Sequence, residues 1–346
     1  MAWFAYYSQR SAWAPKTPEA AQKLLPTGTI QVQVKTTDCV VGHPILKLSA
    51  ETPWSRMISF QLNDEGNPEL CIATENHPVI CARTDIAYRK ALTDLLITYA
   101  WDAPRRSARL TVSGTGDFQG QTVVIKDPPP LFRSDLLALA AQVPGGPLNF
   151  VALSDTPEPI GPMPGIDPLT QIDTPTGPKR AGEIKSGDQI ETDVGPQTVL
   201  ARVSRTLPAV GLFAPIRLHA PFHGLQRHLT VVCHQKLVFG GADVEYAFGD
   251  DTVHIQAGML ETRRQPEFDA GLTIYCQFLL PKPAGILAQG ALLDSLNIAR
   301  LRRNRTDMAL SILGNLPLEL MPDHGDKVAA NLPGYAAKAL VGGSLR

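Results

Sequence analysis

TQIDTPTGPKRAGEIKSGDQI, residues 170–190, decides how this 346-residue chain is read. Its marker positions are Thr170, Ile172, Thr174, Pro175, Gly177, Ala181, Ile184, Gly187, Asp188 and Ile190. Immediately upstream, SDTPEPIGPMPGIDP (154–168) holds five prolines in fifteen residues, a stiff spacer that marks a domain boundary. The expected organisation is a domain over 1–150, a Pro-rich linker over 151–168, a second domain over 169–296 and an extension over 297–346.

The front domain reads as strands. TIQVQVKTT (29–37) alternates, with Ile30, Val32 and Val34 on one face. MISFQLN (57–63) and ELCIAT (69–74) flank a connector rich in Asn, Asp, Gly and Pro, the composition of a hairpin turn. DLLITYAWD (94–102) and ARLTVSG (108–114) pair around APRR, and QTVVIKD (121–127) closes the run. This spacing predicts an antiparallel β-sandwich. LFRSDLLALAAQV (131–143) is the exception, a helix with Ser134 as its N-cap. The second half is again strand-like: QTVLARVSRTL (197–207), APIRLHA (214–220), HLTVVCHQKLVF (228–239), DTVHIQA (251–257) and GLTIYCQFLL (271–280). ARLRRNRTDMALSIL (299–313) is more helical.

Composition agrees with this reading. Charged residues are 19%, and 28 glycines and 30 prolines punctuate the chain, which favours short strands joined by turns. A net charge of -1 gives no polyanion-binding surface, so no nucleic-acid partner is expected. No apolar run reaches the roughly 20 residues of a membrane helix. The aromatic N-terminus, interrupted by Arg10, has no apolar run of signal-peptide length. Cys39, Cys71, Cys81, Cys233 and Cys276 are scattered without a C-x-x-C spacing, and four of them lie in apolar or β-branched runs. They read as buried reduced thiols with no zinc knuckle. These features make a cytoplasmic location the default and leave unconventional export open.

The 170–190 stretch resembles the opening of a Hint module, the fold shared by Hedgehog autoprocessing domains and inteins. There a T-x-I-x-T-P strand leads into G-x-x-x-A/V-x-x-L/I-x-x-G-D-x-V/I. GPQTVLARVSRTL resembles the strand that follows this turn in bacterial Hint proteins. APIRLHAPFHGLQRHLTVVCHQKLVF and GLTIYCQFLLPKPAGILAQG resemble later segments, so the likeness spans about 165–296. LLITYAWDAPRRSARLTV resembles a jelly-roll segment that precedes the module in some bacterial proteins. The fold so implied is all-β: a jelly-roll-like antiparallel sandwich, a Hint-like β domain and a short mixed or helical extension.

The resemblance implies a self-cleaving chemistry, and each of its positions can be inspected. The family's nucleophilic Cys lies five residues before the Thr, where this chain has Gly165, which carries neither thiol nor hydroxyl. A Thr/Ser-x-x-His pair should protonate the departing amide. An ungapped match over Arg227, Leu229 and Leu237 puts Val232 and Gln235 there, with His234 one residue off and so on the opposite face of a strand. The late R-H-E group falls on Lys282, Pro283 and Ala284. With Gly165, Val232, Gln235 and Pro283 all lacking the required chemistry, the expectation is a binding or structural module without self-cleavage, for a protein or glycan partner. Two rivals stand beside it. One is autoprocessing with Thr170 or Ser154 as nucleophile and His234 as acid. The other is lectin-like binding by the sandwich, with Trp54, Trp101, Asn63, Asp64 and Asn67 as decoration.

Other clusters read as structural. His219, His223, His228 and His234 are broken by Pro221 and Gly224 and have no interleaved carboxylate, so no metal is expected. Arg300, Arg302, Arg303 and Arg305 read as a solvated helix face. No phosphate-binding or dinucleotide-binding fingerprint occurs, and no cofactor is expected.

Overall fold

The computed structural model describes residues 2–14, 23–75, 77–85, 94–114, 120–144, 146–260, 271–325, 330–332 and 336. The chain divides into two compact units, Met1–Glu158 and Pro159–Arg346, and the fold is all-β with a few short helices.

In the first unit seven strands lie in the order Gln121–Lys126, Ser107–Gly114, Asp94–Asp102, Thr27–Lys35, Leu148–Ser154, Trp3–Ser8 and Ala12–Trp13. A second sheet is a meander of Pro44–Ala50, Arg56–Leu62, Pro68–Thr74 and His77–Arg83. Alternation sends Ile30, Val32 and Val34 into one core with Ile97, Tyr99, Ile58, Phe60 and Leu70. Trp101 is fully buried, donates its indole N–H to the Leu25 carbonyl at 3.1 Å and stacks on Tyr99. Gly28 makes room for it, since a Cβ there would lie 2.5 Å from the Trp101 ring. The 63–69 connector is a turn in which the Asn63 side-chain oxygen accepts from the Glu65 and Asn67 amides.

Two expectations for this unit are corrected. The helix is Arg133–Ala140 and Ser134 does not cap it. Leu131–Phe132 is instead a short strand paired with Leu24–Leu25, so the extended residue before the helix is Phe132. The first-turn carboxylate of Asp135 is held by the Arg56 guanidinium through bonds of 2.5 and 2.9 Å. Cys71 and Cys81 are not reduced thiols. They face each other across the last two strands of the meander and are disulfide-bonded. Of the remaining three, Cys276 is buried, whereas Cys39 and Cys233 are only partly so. Register rather than local sequence brings the pair together.

In the second unit seven strands run in the order Lys179–Arg180, Gln171–Ile172, Gly285–Ala288, Ala291–Asp294, Lys236–Gly240, Thr252–Gln256 and Ala330–Asn331. Three ribbons accompany this sheet: Gln189–Ile190 with Gln197–Thr198, Ala201–Pro208 with Leu272–Leu279, and Pro215–Leu218 with Leu229–Val232. The apolar positions of the 170–190 stretch, Ile172, Ala181, Ile184 and Ile190, are all fully buried in one core. Between them the chain turns on Gly187, whose φ of +91° favours glycine. The Gly187 amide donates to the Val199 carbonyl, and the Val199 amide donates to the Asp188 carbonyl. The Asp188 carboxylate accepts from the Lys179 ammonium at 2.6 Å and the Lys185 amide at 2.8 Å, which hold its pKa below the ordinary value. Nothing lies within 4 Å of a Cβ on Gly187, so a side chain there is opposed by backbone conformation alone. Gly187→Ala is expected to lower stability by about 1–2 kcal/mol, read from the midpoint of urea unfolding.

Runs that read as continuous are interrupted here. HLTVVCHQKLVF breaks into Leu229–Val232 and Lys236–Gly240, with a turn closed by the Gln235 amide on the Val232 carbonyl. ARLRRNRTDMALSIL breaks into Ala299–Arg303 and Arg305–Leu310, because Asn304 is extended and caps the second helix through the Thr306 and Asp307 amides. Among the described residues no helix is long and apolar enough to cross a membrane.

Candidate functional site

The segment around Gly165 is threaded between two strands. Ile166 exchanges backbone hydrogen bonds with Cys276 at 2.8 and 3.0 Å, and the Val232 amide donates to the Gly165 carbonyl at 2.9 Å. This places Gly165 against the turn that follows Leu229–Val232. A Cβ on Gly165 would lie 2.7 Å from Gln235 Oε1, 2.8 Å from Val232 Cγ2 and 3.1 Å from the Gln235 Cβ. Gly165, Val232 and Gln235, far apart in sequence, therefore meet at one point.

Gln235 is fixed there. Its amide nitrogen donates to the carbonyls of Lys236 at 3.0 Å and Asp294 at 3.2 Å. Its amide oxygen accepts from Gln277 Nε2 at 3.3 Å, and Gln277 Nε2 also reaches the Asp294 carbonyl at 2.8 Å. Both glutamines are about 95% buried, and Val232 is fully buried. Glycine, valine and the amides of two glutamines offer neither a nucleophile nor a group that exchanges protons near neutral pH. The arrangement fills the space beside residue 165 with hydrogen-bonded packing.

Titratable groups surround this plug. The Asp294 carboxyl is pushed up to about 7 by burial, with Lys236 opposing and Asp193 adding to the rise. His254 Nδ1 lies 3.9 Å from it. Cys276, whose thiol is 3.5 Å from the Ile166 carbonyl, is pushed up to about 12 by burial and is a thiol rather than a thiolate at neutral pH.

The remaining sequence candidates do not take part in this packed contact. His234 sits in the turn, its Nδ1 3.3 Å from the Leu212 carbonyl, which also accepts from the Cys233 thiol at 3.3 Å. Burial lowers the His234 pKa against the pull of backbone acceptors, so the ring is neutral at pH 7. Because residues 233–235 form a turn, strand alternation does not govern where His234 points. Thr170 is buried, and its backbone bonds Asp167 and Ala181. Ser154 belongs to the first unit and bonds Thr156. Pro283 is exposed in the connection before Gly285–Ala288, and the neighbouring amides of Lys282 and Ala284 donate to Gln197 and Ser295 side chains.

Among the described residues no three His, Cys, Asp or Glu side chains converge as a metal site. His219 and His228 stack edge to face at 4.8 Å, and His228 accepts from the Ala220 amide. Trp54 packs on Phe132, 5.0 Å between ring centroids. Arg302 donates to the Pro322 carbonyl and pairs with Asp323. Gln277 and Asp294 were not singled out from sequence. The period-two alternation of IYCQF, which sends Gln277 away from the Cys276 side, was the available signal.

The family model for the Hint domain matches residues 165–300 and begins at Gly165, the residue at the centre of the plug. Residues 165–300 are similar to a Hint domain. The rest of the chain lies outside that match. Curated proteins include no match to this chain. Among solved structures, the native heptameric SAP-like pentraxin from Limulus polyphemus aligns at 7% identity with a TM-score of 0.22. That alignment covers 44% of this chain and 58% of the pentraxin chain, less than two thirds of its length. The match thus starts at a residue beside which Val232 and Gln235 leave no room for a side chain.

Proposed function

We propose that the chain is a Hint domain protein without self-cleavage, in which the domain serves as a binding or structural module. The observation that carries this reading is the fit at Gly165: the position of the family nucleophile has no side chain, and Val232 and Gln235 occupy the volume one would need. Acyl transfer to a side chain requires a thiol or hydroxyl there and a proton donor for the leaving amide. Gln235 is tied by three hydrogen bonds and donates only amide protons. Thr170 is buried with its backbone bonded to Asp167 and Ala181, and the neutral His234 ring is held by backbone carbonyls, so neither replaces the pair.

Intact-mass measurement of the full chain after prolonged incubation with thiol or hydroxylamine tests this. The expected result is one species at 37.4 kDa. Fragments ending near residue 153 or 169 would overturn the proposal and assign cleavage to a displaced nucleophile.

A further inference from the structure

The disulfide of the first unit joins the last two strands of the four-stranded sheet at its edge. Cys71 and Cys81 are directly opposite on Pro68–Thr74 and His77–Arg83, their Cα atoms 4.3 Å apart. Cys71 is partly exposed and Cys81 is exposed, so the bond faces solvent on the outside of the four-stranded sheet. His77–Arg83 is the last strand of that sheet. Its hold on the interior is slight: Ala82 is buried and Ile80 packs against the core, whereas His77, Pro78, Val79, Cys81 and Arg83 are exposed. Its ladder is also irregular, with a register shift between Ile72 and Thr74.

We propose that Cys71–Cys81 is a redox clasp: a dithiol reductant opens it and loosens His77–Arg83 while the rest of the sandwich stays folded. One reductant thiolate attacks a sulfur of the bond and displaces the other as a thiolate. The second reductant thiol then releases the mixed disulfide. Two electrons pass to the protein, two protons complete its thiols, and the reductant becomes a disulfide. Solvent exposure of Cys81 gives the attacking thiolate access. The cross-link joins positions ten apart in sequence, and closing a loop of that size suppresses opening by about a hundredfold on the chain-entropy account.

The test uses the full chain equilibrated with oxidised glutathione, then unfolded and alkylated, with and without prior dithiothreitol. Three adducts are expected without reductant, on Cys39, Cys233 and Cys276, and five with it. In the folded protein, amide exchange over 77–83 is expected to quicken by about 10- to 100-fold on reduction, with Thr27–Lys35 unchanged. A Cys71→Ser/Cys81→Ser variant should exchange fast in both conditions. If that variant fails to fold, the reduced and oxidised natural chain still decide the matter. Five adducts without reductant would overturn the proposal. So would unchanged exchange over 77–83 in a fully reduced chain, or global loss of protection.

Discussion

Asp294→Asn is expected to stabilise the protein at pH 8 by about 2–4 kcal/mol and to change it little at pH 4. The reason is a proton held by the folded state and released by the unfolded one. In the folded chain burial raises the Asp294 carboxyl from 3.8 to about 7. Between those values the native state binds more protons, so stability falls as pH rises, and the loss is complete above about pH 7. A gap of roughly three pH units corresponds to about 4 kcal/mol as a ceiling. The side chain keeps 21% of its exposure, which lets water moderate the penalty and lowers the expected figure. Asparagine keeps the shape and removes the ionisation. Urea midpoints of both proteins at pH 4 and pH 8 check the sign directly. A gain at pH 4 equal to that at pH 8 would show that ionisation of Asp294 is not the cause.

The second large effect concerns Gly165. On the proposed reading Gly165→Cys puts a thiol at the position matched to the Hint nucleophile, yet its Cβ would meet Val232 and Gln235 at 2.8 and 2.7 Å. Gln235 cannot swing aside without giving up its bonds to Lys236, Asp294 and Gln277, and Val232 is fully buried. Forcing atoms into a packed site costs about 1–3 kcal/mol, so the variant should be less stable by that amount and should keep its full mass in thiol. Removing the obstruction separates space from chemistry. In a Gln235→Ala background the destabilisation by Gly165→Ala should shrink, giving a coupling of about 1 kcal/mol or more in a double-mutant cycle. Additive effects would mean that Gln235 is not what closes the site.

The fold was readable where local pattern and packing coincide. In 170–190 the apolar spacing marked the residues that became core, and Gly187-Asp188 marked a turn whose backbone needs a glycine. The meeting of Gly165, Val232 and Gln235 followed from matching the chain to a family pattern, but its meaning did not. The glutamine network depends on Gln277, signalled only by the alternation of its strand, and on a backbone carbonyl of Asp294, which no side-chain pattern marks. The turn at 233–235 was hidden because TVVCHQKLVF contains no glycine or proline. The disulfide was hidden because the pairing of Cys71 with Cys81 is a matter of strand register, set by the hairpin between them.

The strand Ala330–Asn331 runs parallel to Thr252–Gln256, with the Leu332 amide on the His254 carbonyl and Leu332 itself buried. The family match ends at residue 300, but the folding unit continues beyond it. A piece excised at the family boundary would leave Thr252–Gln256 with one side of its backbone unpaired, a template for sticking to its own copies. Anyone dissecting this protein should cut by hydrogen-bond ladders and not by homology, or a loss of solubility will be mistaken for a loss of function.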